Sequence, residues 1–466
     1  MTLSMGAVIL AGGRGSRLLG VKAKPLAPLL GKKLIDYPLF QISELFKRNN
    51  IDGKVTVVTG YCKEDVEGHL KKEMGINNFA FQEKPLGTGN ALKSYFESGG
   101  ISEKFDLTLV LCADVPLLDR SHLDKLYSEF SSGDYDCAVA TFCTERPEGY
   151  GRIIRKGSEI TIVEENEASS QEKKIKEVNS GVYLFKTSYV LEALSSLEPR
   201  GKKGEYYLTD VLQPGHKVQP VLFKNGDPFL GVNDLEQLEE VEKKLIKRKV
   251  SDLRSSGVRF LSSESVYIDY DVTVGEGSII HPNVMLFGNT KIGERCAIEA
   301  GSIIKSSTIE EGTVLKPYSH LDQAQVGSKA VVGPFANLRP GTETGKSVKI
   351  GNFVETKKAI LGEGVKVSHL SYVGDAEVGD RTNIGCGFIT CNYDGANKHF
   401  SKIGRDTFVG SDTQLIAPVE IGDECFVASG STIGQSMPDG SFAISRSRQV
   451  TKEGLAKKFI RKNKEN

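Results

Sequence analysis

A period of six residues governs the second half of this 466-residue chain. From Val274 onward an Ile, Val or Leu, frequently followed by Gly, recurs in steps of six with occasional fives; Ile292-Gly293, Val326-Gly327, Ile350-Gly351, Val378-Gly379, Ile403-Gly404 and Ile421-Gly422 belong to the series. Each hexad supplies a short strand and a turn, and stacking them gives a parallel β-helix with the aliphatics inside and glycine at the corners. The one compositional excess follows from this: 50 glycines, about 11% of the chain against a usual value near 7%. The register lapses between Ile389 and Ile403, where TCNYDGANKHFSK runs on without an aliphatic anchor. Insertions in solenoids become loops on one face, often the binding face.

The first half reads differently. Short β-branched runs (GAVILAGG, KVTVVTG, LTLVLCADVPLL, CAVATF) alternate with helix-length amphipathic stretches such as LIDYPLFQISELFKRN, which predicts βαβ units around a mostly parallel, Rossmann-like α/β sheet. Four segments are expected: an α/β domain over 1–232, a linking helix over 233–257, the β-helix over 258–445 and a tail over 446–466 with eight basic and two acidic side chains. Sixty Lys+Arg balance sixty Asp+Glu, so the molecule as a whole lacks the charge footprint of a nucleic-acid or anionic-membrane binder. No apolar run reaches about 18 residues and the N-terminus lacks the pattern of a signal peptide, which predicts a cytoplasmic protein. The eight cysteines contain no C-x-x-C pair and are expected as reduced thiols.

Several clusters point to phosphate chemistry. LAGGRGSR at 10–17 places a glycine-rich turn directly after an apolar strand, with Arg17 and then Lys24 to supply positive charge; backbone N–H groups in such a turn approach phosphates closely. Asp114 ends an apolar strand before Pro116, at the sheet edge where α/β proteins bind ligands, and is a candidate for a magnesium ion that also takes phosphate oxygens and water. Gln82 with LGTG at 86–89 makes a polar loop able to face a base edge.

Taken in order, LAGGRGSR, Lys24, LGTG, ADVP at 113–116, GYGR at 149–152, Glu164, NSG at 179–181, EYYLTDV at 205–211 and GVND at 231–234 resemble the sugar-nucleotide pyrophosphorylases. LRPG at 338–341, GNFVETKKA at 351–359, HLSY at 369–372, NIGCGFITCNYDGANK at 383–398, VGSDTQLIAPV at 409–419 and ISR at 444–446 extend the likeness over essentially the whole chain. The family it resembles is the bifunctional N-acetylglucosamine-1-phosphate uridylyltransferase/glucosamine-1-phosphate acetyltransferases.

That resemblance implies two sites. In the first, Leu10, Ala11 and Gly13 hold nucleotide through backbone, Arg17 and Lys24 neutralise phosphates, Gln82, Gly87 and Thr88 read the uracil edge, Gly151, Glu164 and Asn179 contact the acetamido sugar, and Asp114 with Asn233 holds Mg²⁺. In the second, on a left-handed β-helix, His369 is the base, Arg339 and Lys357 bind the sugar phosphate, Tyr372 and Asn383 the sugar, Asn392 and Tyr393 the acetyl end, and Cys386, Ser411, Ser429 and Arg446 the coenzyme A moiety. A base is required because a protonated amine has no lone pair with which to attack. Expected partners are UTP, N-acetylglucosamine 1-phosphate, glucosamine 1-phosphate and acetyl-CoA, in a homotrimer. The chain departs from the commonest family pattern at Gly12, Cys112, Ala113, Cys386 and Ser429, and the first three bear on nucleotide and sugar preference. The competing readings are a monofunctional nucleotidyltransferase with an inert β-helix and a β-helix that serves only as an oligomerisation scaffold.

Overall fold

The computed structural model describes residues 3–460 apart from 16, 19, 99–104, 158 and 201–203, and its chain forms two compact units, Met1–Leu245 and Ile246–Asn466. The last six residues of the basic tail therefore lie outside the described residues, as does Ser16 of the glycine-rich turn. Among the described residues no helix is long and apolar enough to cross a membrane.

In the first unit nine strands form one sheet: β1 (Ser4–Leu10), β2 (Asp52–Thr59), β3 (Phe79–Phe81), β4 (Leu107–Cys112), β5 (Cys137–Cys143), β6 (Arg152–Lys156), β7 (Glu159–Val163), β8 (Glu177–Lys186) and β9 (Val218–Phe223), in the order β9-β5-β8-β4-β1-β2-β3 with β6 and β7 attached beside β8. Neighbours β4, β1, β2 and β3 run parallel. Their near-continuous apolar sequences match burial on both faces: Ala7 and Ile9 face one core cluster while Val8, Val58 and Val110 face the other. The parallel pattern has one interruption. β8 is antiparallel to both β4 and β5, because the short β6–β7 hairpin returns the chain without a crossover helix. Helix α1 (Asp36–Arg48) buries Leu39, Ile42 and Leu45 on one side, and α2 (Thr88–Glu97) buries Ala91 and Leu92.

The division between the units falls within the helix Leu235–Ser255. In the second unit, strands of two to seven residues stack in parallel as an 11-stranded and a 17-stranded sheet. One interior column reads Ile280, Ile298, Leu315, Val332, Ile350, Val367, Ile384, Val409 and Val427, each 0–2% exposed. Burying such a side chain contributes about 1.5–3 kcal/mol, so the repeated aliphatic is what holds the stack. At the corners the next coil approaches too closely for a side chain: a Cβ on Gly385 would lie 2.5 Å from the Ser411 nitrogen. Register partners are 17 residues apart at Lys366↔Asn383 but 25 apart at Asn383↔Phe408; the expected insertion is a loop closed by an antiparallel bridge between Tyr393 and Lys398.

Candidate functional site

Three strand ends meet at the first site. The Ala11 N–H donates to the Val58 carbonyl (2.9 Å), the Ala113 N–H to Leu10 (3.1 Å) and the Gln82 N–H to Thr59 (2.8 Å). This arrangement opens a cavity of about 300 Å³ whose lining includes Leu10, Ala11, Gly13, Lys24, Gln82, Gly87, Thr88 and Asp114. Gly87 has φ +99°, and a Cβ there would be 2.5 Å from the Tyr206 carbonyl oxygen, so the turn into α2 requires glycine. Thr88 opens that helix and its hydroxyl accepts from the Leu208 N–H (3.2 Å). Arg17 is exposed and forms no ion pair with a described residue. Of the residues predicted for nucleotide, phosphate and metal, it and Asn233 lie outside the cavity lining.

The Lys24 ammonium donates to both Asp114 Oδ2 and Asn233 Oδ1, the latter at 2.8 Å. Two oxygen donors from distant parts of the first unit's sequence thus converge on one positive charge, and the Val232 N–H to Asp114 carbonyl bond (3.0 Å) holds their segments together. Among the described residues no cluster of three or more His, Cys, Asp or Glu could hold a metal. One carboxylate and one amide oxygen beside a phosphate-sized cavity nevertheless fit a hard divalent cation that draws its remaining ligands from phosphate and water.

On the sugar side, a Cβ on Gly151 would stand 2.7 Å from Ile162, 3.7 Å from Asn179 Cβ and 3.7 Å from Glu164 Oε2, so the three predicted residues are neighbours. Burial pushes the Glu164 carboxyl up, partly offset by the Thr209 hydroxyl that donates to it (2.8 Å). The Asn179 amide donates to the Tyr183 hydroxyl (2.6 Å) and its oxygen accepts from the Gly181 N–H (3.0 Å), at the register shift in β8. Burial likewise pushes the Cys112 thiol up to about 12, which leaves it a protonated wall of the cavity and no nucleophile.

On the β-helix, His369 ends the strand Lys366–His369 and pairs in register with Asn352; its Nδ1 meets Asn352 Oδ1 at 3.0 Å. Because the amide oxygen accepts, Nδ1 carries a proton, so in the neutral ring it is Nε2 that holds the lone pair. A Cβ on the adjoining Gly351 would fall 1.8 Å from the Ser368 carbonyl oxygen, so no other residue brings these strands this close. The hydrogen bond between Lys357 and Lys398, then the Lys398 charge, burial and the Arg339 charge, push the Lys357 pKa down. Arg339 is tied to Glu355 at 2.7 Å. Nearby, the Asn392 amide donates to Asp375 and reaches the Tyr372 hydroxyl at 3.5 Å. The loop bearing Tyr393 is cinched by Asp394, which accepts from the Asn397 and Ala396 N–H groups and pairs with His399 at 2.7 Å. Asn383 lies on the other sheet, one coil after Lys366.

Cys386, Ser411 and Ser429 stand three residues past the register partners Asn383, Phe408 and Phe426, so they occupy equivalent corners of successive coils. Arg446 closes this column by donating to the Ser429 carbonyl (2.7 Å). The second site's predicted residues therefore form two groups, a cationic one and this column. Sequence reasoning missed Asn352, Asp375 and Lys398. Lys398 was signalled by its place at the end of NYDGANK, whereas the other two owe their position to stacking on the next coil.

Comparison with known proteins adds breadth to this geometry. The Nucleotidyl transferase family matches residues 6–225 and the Bacterial transferase hexapeptide (six repeats) family residues 400–435. Proteins named Bifunctional protein GlmU from Pelobacter propionicus and Listeria monocytogenes are each 40% identical to this chain, and one from Geotalea uraniireducens is 39% identical; every alignment covers 97% of this chain and 98% of the relative.

Proposed function

This chain belongs to the bifunctional GlmU family, and from that membership we propose how its residues divide the work. It is a bifunctional transferase that makes UDP-N-acetylglucosamine, by acetyl transfer to glucosamine 1-phosphate and then uridylyl transfer, on nucleotide, sugar-phosphate and acyl-CoA substrates. We assign uridylyl transfer to 1–232 and acetyl transfer to the left-handed β-helix over 258–445. Membership implies a divalent-metal-dependent nucleotidyl transfer, and the ion we propose is Mg²⁺. The protein acts in the cytoplasm as a homotrimer, so that a neighbouring copy completes the shallow acetyl site.

In the first reaction site an oxygen of N-acetylglucosamine 1-phosphate attacks the α-phosphorus of UTP; the new O–P bond forms as the α–β anhydride breaks and pyrophosphate leaves. Such transfer needs positioning and charge neutralisation. Leu10, Ala11 and Gly13 cradle the triphosphate through backbone, Arg17 and Lys24 counter its charge, and Gly151, Glu164 and Asn179 orient the sugar. Asp114 and Asn233 would hold the Mg²⁺, which when bound would neutralise phosphate charge. Lys24, which donates to those two oxygens, supplies positive charge to the phosphates.

In the second site His369 Nε2 takes the proton from the amine of glucosamine 1-phosphate. The amine then attacks the acetyl carbonyl carbon; as the C–S bond breaks the thiolate takes the proton back from His369 and coenzyme A leaves as its thiol, while the new amide nitrogen gives its surplus proton to solvent. The observation that carries this assignment is the His369 Nδ1–Asn352 Oδ1 bond at 3.0 Å, which leaves Nε2 to act as the base; the gathering of Arg339, Lys357 and Lys398, whose charge a sugar phosphate would offset, supports it. Tyr372 and Asn383 bind the sugar, Asn392 and Tyr393 meet the acetyl end, and the Cys386–Ser411–Ser429 column with Arg446 takes the coenzyme.

The decisive experiment measures both products. With glucosamine 1-phosphate and acetyl-CoA the protein should release free thiol, and His369→Ala should not. With UTP and N-acetylglucosamine 1-phosphate it should release pyrophosphate, and Asp114→Ala should not, while still acetylating. Full thiol release by folded His369→Ala would falsify the role given to that histidine, and an Asp114→Ala variant that loses both activities would contradict independent sites.

A further inference from the structure

Gln82 is only 7% exposed, and its amide is fixed from two directions. One Nε2 hydrogen goes to the Gly87 carbonyl (3.0 Å) and the other to Asn90 Oδ1 (2.9 Å). The Gly87 carbonyl and Asn90 Oδ1 both accept, so together they turn the NH₂ end of Gln82 toward α2. Both hydrogens are consumed there. Oε1 is left on the opposite side, toward Gly12, where a Cβ would lie only 2.8 Å from it, and no donor among the described residues reaches it. Gly12 and Gln82 both line the nucleotide cavity. The side chain thus offers the cavity an acceptor and withholds its donor.

We infer that Asn90 is a positioning residue that sets nucleobase selectivity: by holding the Gln82 amide in one orientation it makes the site demand a ring N–H from the base. Uracil and thymine carry a donor at N3. Cytosine has a lone pair there, which would face the Gln82 Oε1 lone pairs with no proton between them. Asn90 touches no substrate. It acts by occupying the second Nε2 hydrogen: without Asn90 one of the two bonds that orient the amide is lost, and the Gly87 carbonyl alone opposes the turn that would carry the unpaired donor to the wet cavity. This rests on the assignment of the cavity to UTP.

The test compares kcat/KM for UTP and CTP by pyrophosphate release, in full-length wild type, Asn90→Leu and Asn90→Asp, with acetyl transfer measured on each preparation as a check on folding. Asn90→Leu should lower the UTP/CTP ratio at least tenfold, mainly through faster use of CTP. Asn90→Asp, which keeps an acceptor oxygen for Nε2, should hold the ratio near wild type. A merely structural role would slow both nucleotides together and leave the ratio unmoved. An unchanged ratio in Asn90→Leu, or an equal fall in Asn90→Asp, overturns the inference while UTP-dependent release stands. Wild-type protein that releases no pyrophosphate from UTP overturns the assignment of the cavity, and this inference with it.

Discussion

Replacing Asn352 by alanine separates orientation of His369, the proposed acetyl-transfer base, from its chemistry. In the structure this residue makes one neutral hydrogen bond to His369, at 3.0 Å and in an exposed position. Such a bond has a net worth of about 0.5–1.5 kcal/mol. With RT near 0.6 kcal/mol, losing the preferred tautomer and ring orientation should lower kcat for thiol release roughly 2- to 13-fold. Losing the base itself, in His369→Ala, should cost about 10²- to 10⁴-fold. Asn352 is not among the phosphate, sugar or coenzyme contacts, so KM for both substrates should stay within about twofold. The assay is initial-rate thiol release over a substrate grid at neutral pH, with pyrophosphate release from the other site as an internal reference. An Asn352→Ala enzyme with unaltered kcat, or one as slow as His369→Ala, would refute the reasoning, as would a loss confined to KM.

The geometry sets four further outcomes. Removing divalent metal with a chelator should stop pyrophosphate release and leave thiol release intact, and added Mg²⁺ should restore the former. Gly87→Ala, at φ +99° and 2.5 Å from the Tyr206 carbonyl oxygen, should depress uridylyl transfer by about tenfold or more while sparing acetylation, read from the two product assays. Glu165→Ala should destabilise the first unit by about 3–5 kcal/mol in denaturant unfolding, because Arg152, 1% exposed, would keep its buried charge without the 2.6 Å partner it has now. The Asn397 N–H, then His399 and the Ala396 N–H, hold the Asp394 carboxyl well below its usual range. That contribution is complete above the unfolded carboxyl pKa of about 3.9 and is lost as pH falls through the lower folded value, so hydrogen-exchange protection of residues 392–399 should decline on acidification and should lose this pH dependence in Asp394→Asn.

The sequence made most of this architecture legible where the signal is local. The six-residue aliphatic period is imposed by the interior of the stack itself, and the column from Ile280 to Val427 is that period seen in space. Residues at the ends of β1 and β4 were legible for a similar reason, since a strand that stops at Leu10 or Cys112 delivers the next few residues to the sheet edge. The antiparallel entry of β8 was not, because nothing in its apolar run states its direction. Asn352 and Asp375 escaped because each meets its partner one coil away, His369 and Asn392 respectively, 17 residues along the chain. Asn90 escaped because its effect lies in which end of another side chain it holds.

The coil-by-coil register of the second unit has an evolutionary corollary. Parallel neighbours are about 4.8 Å apart, so the 11-stranded sheet works as a ruler roughly 48 Å long on which every corner has a discrete address. Gene duplication that adds one whole coil would translate everything beyond it by a single step, keep each side chain on its own face, and leave the fold sound. Coils of 17 and 18 residues both fit the stack, but an insertion of several residues has to leave the ruler, as residues 392–400 do. Lengthening by whole coils is thus a permitted mutational step, but one placed between Arg339 and Arg446 would separate residues of the proposed acetyl site, which confines growth of the solenoid to coils outside that span.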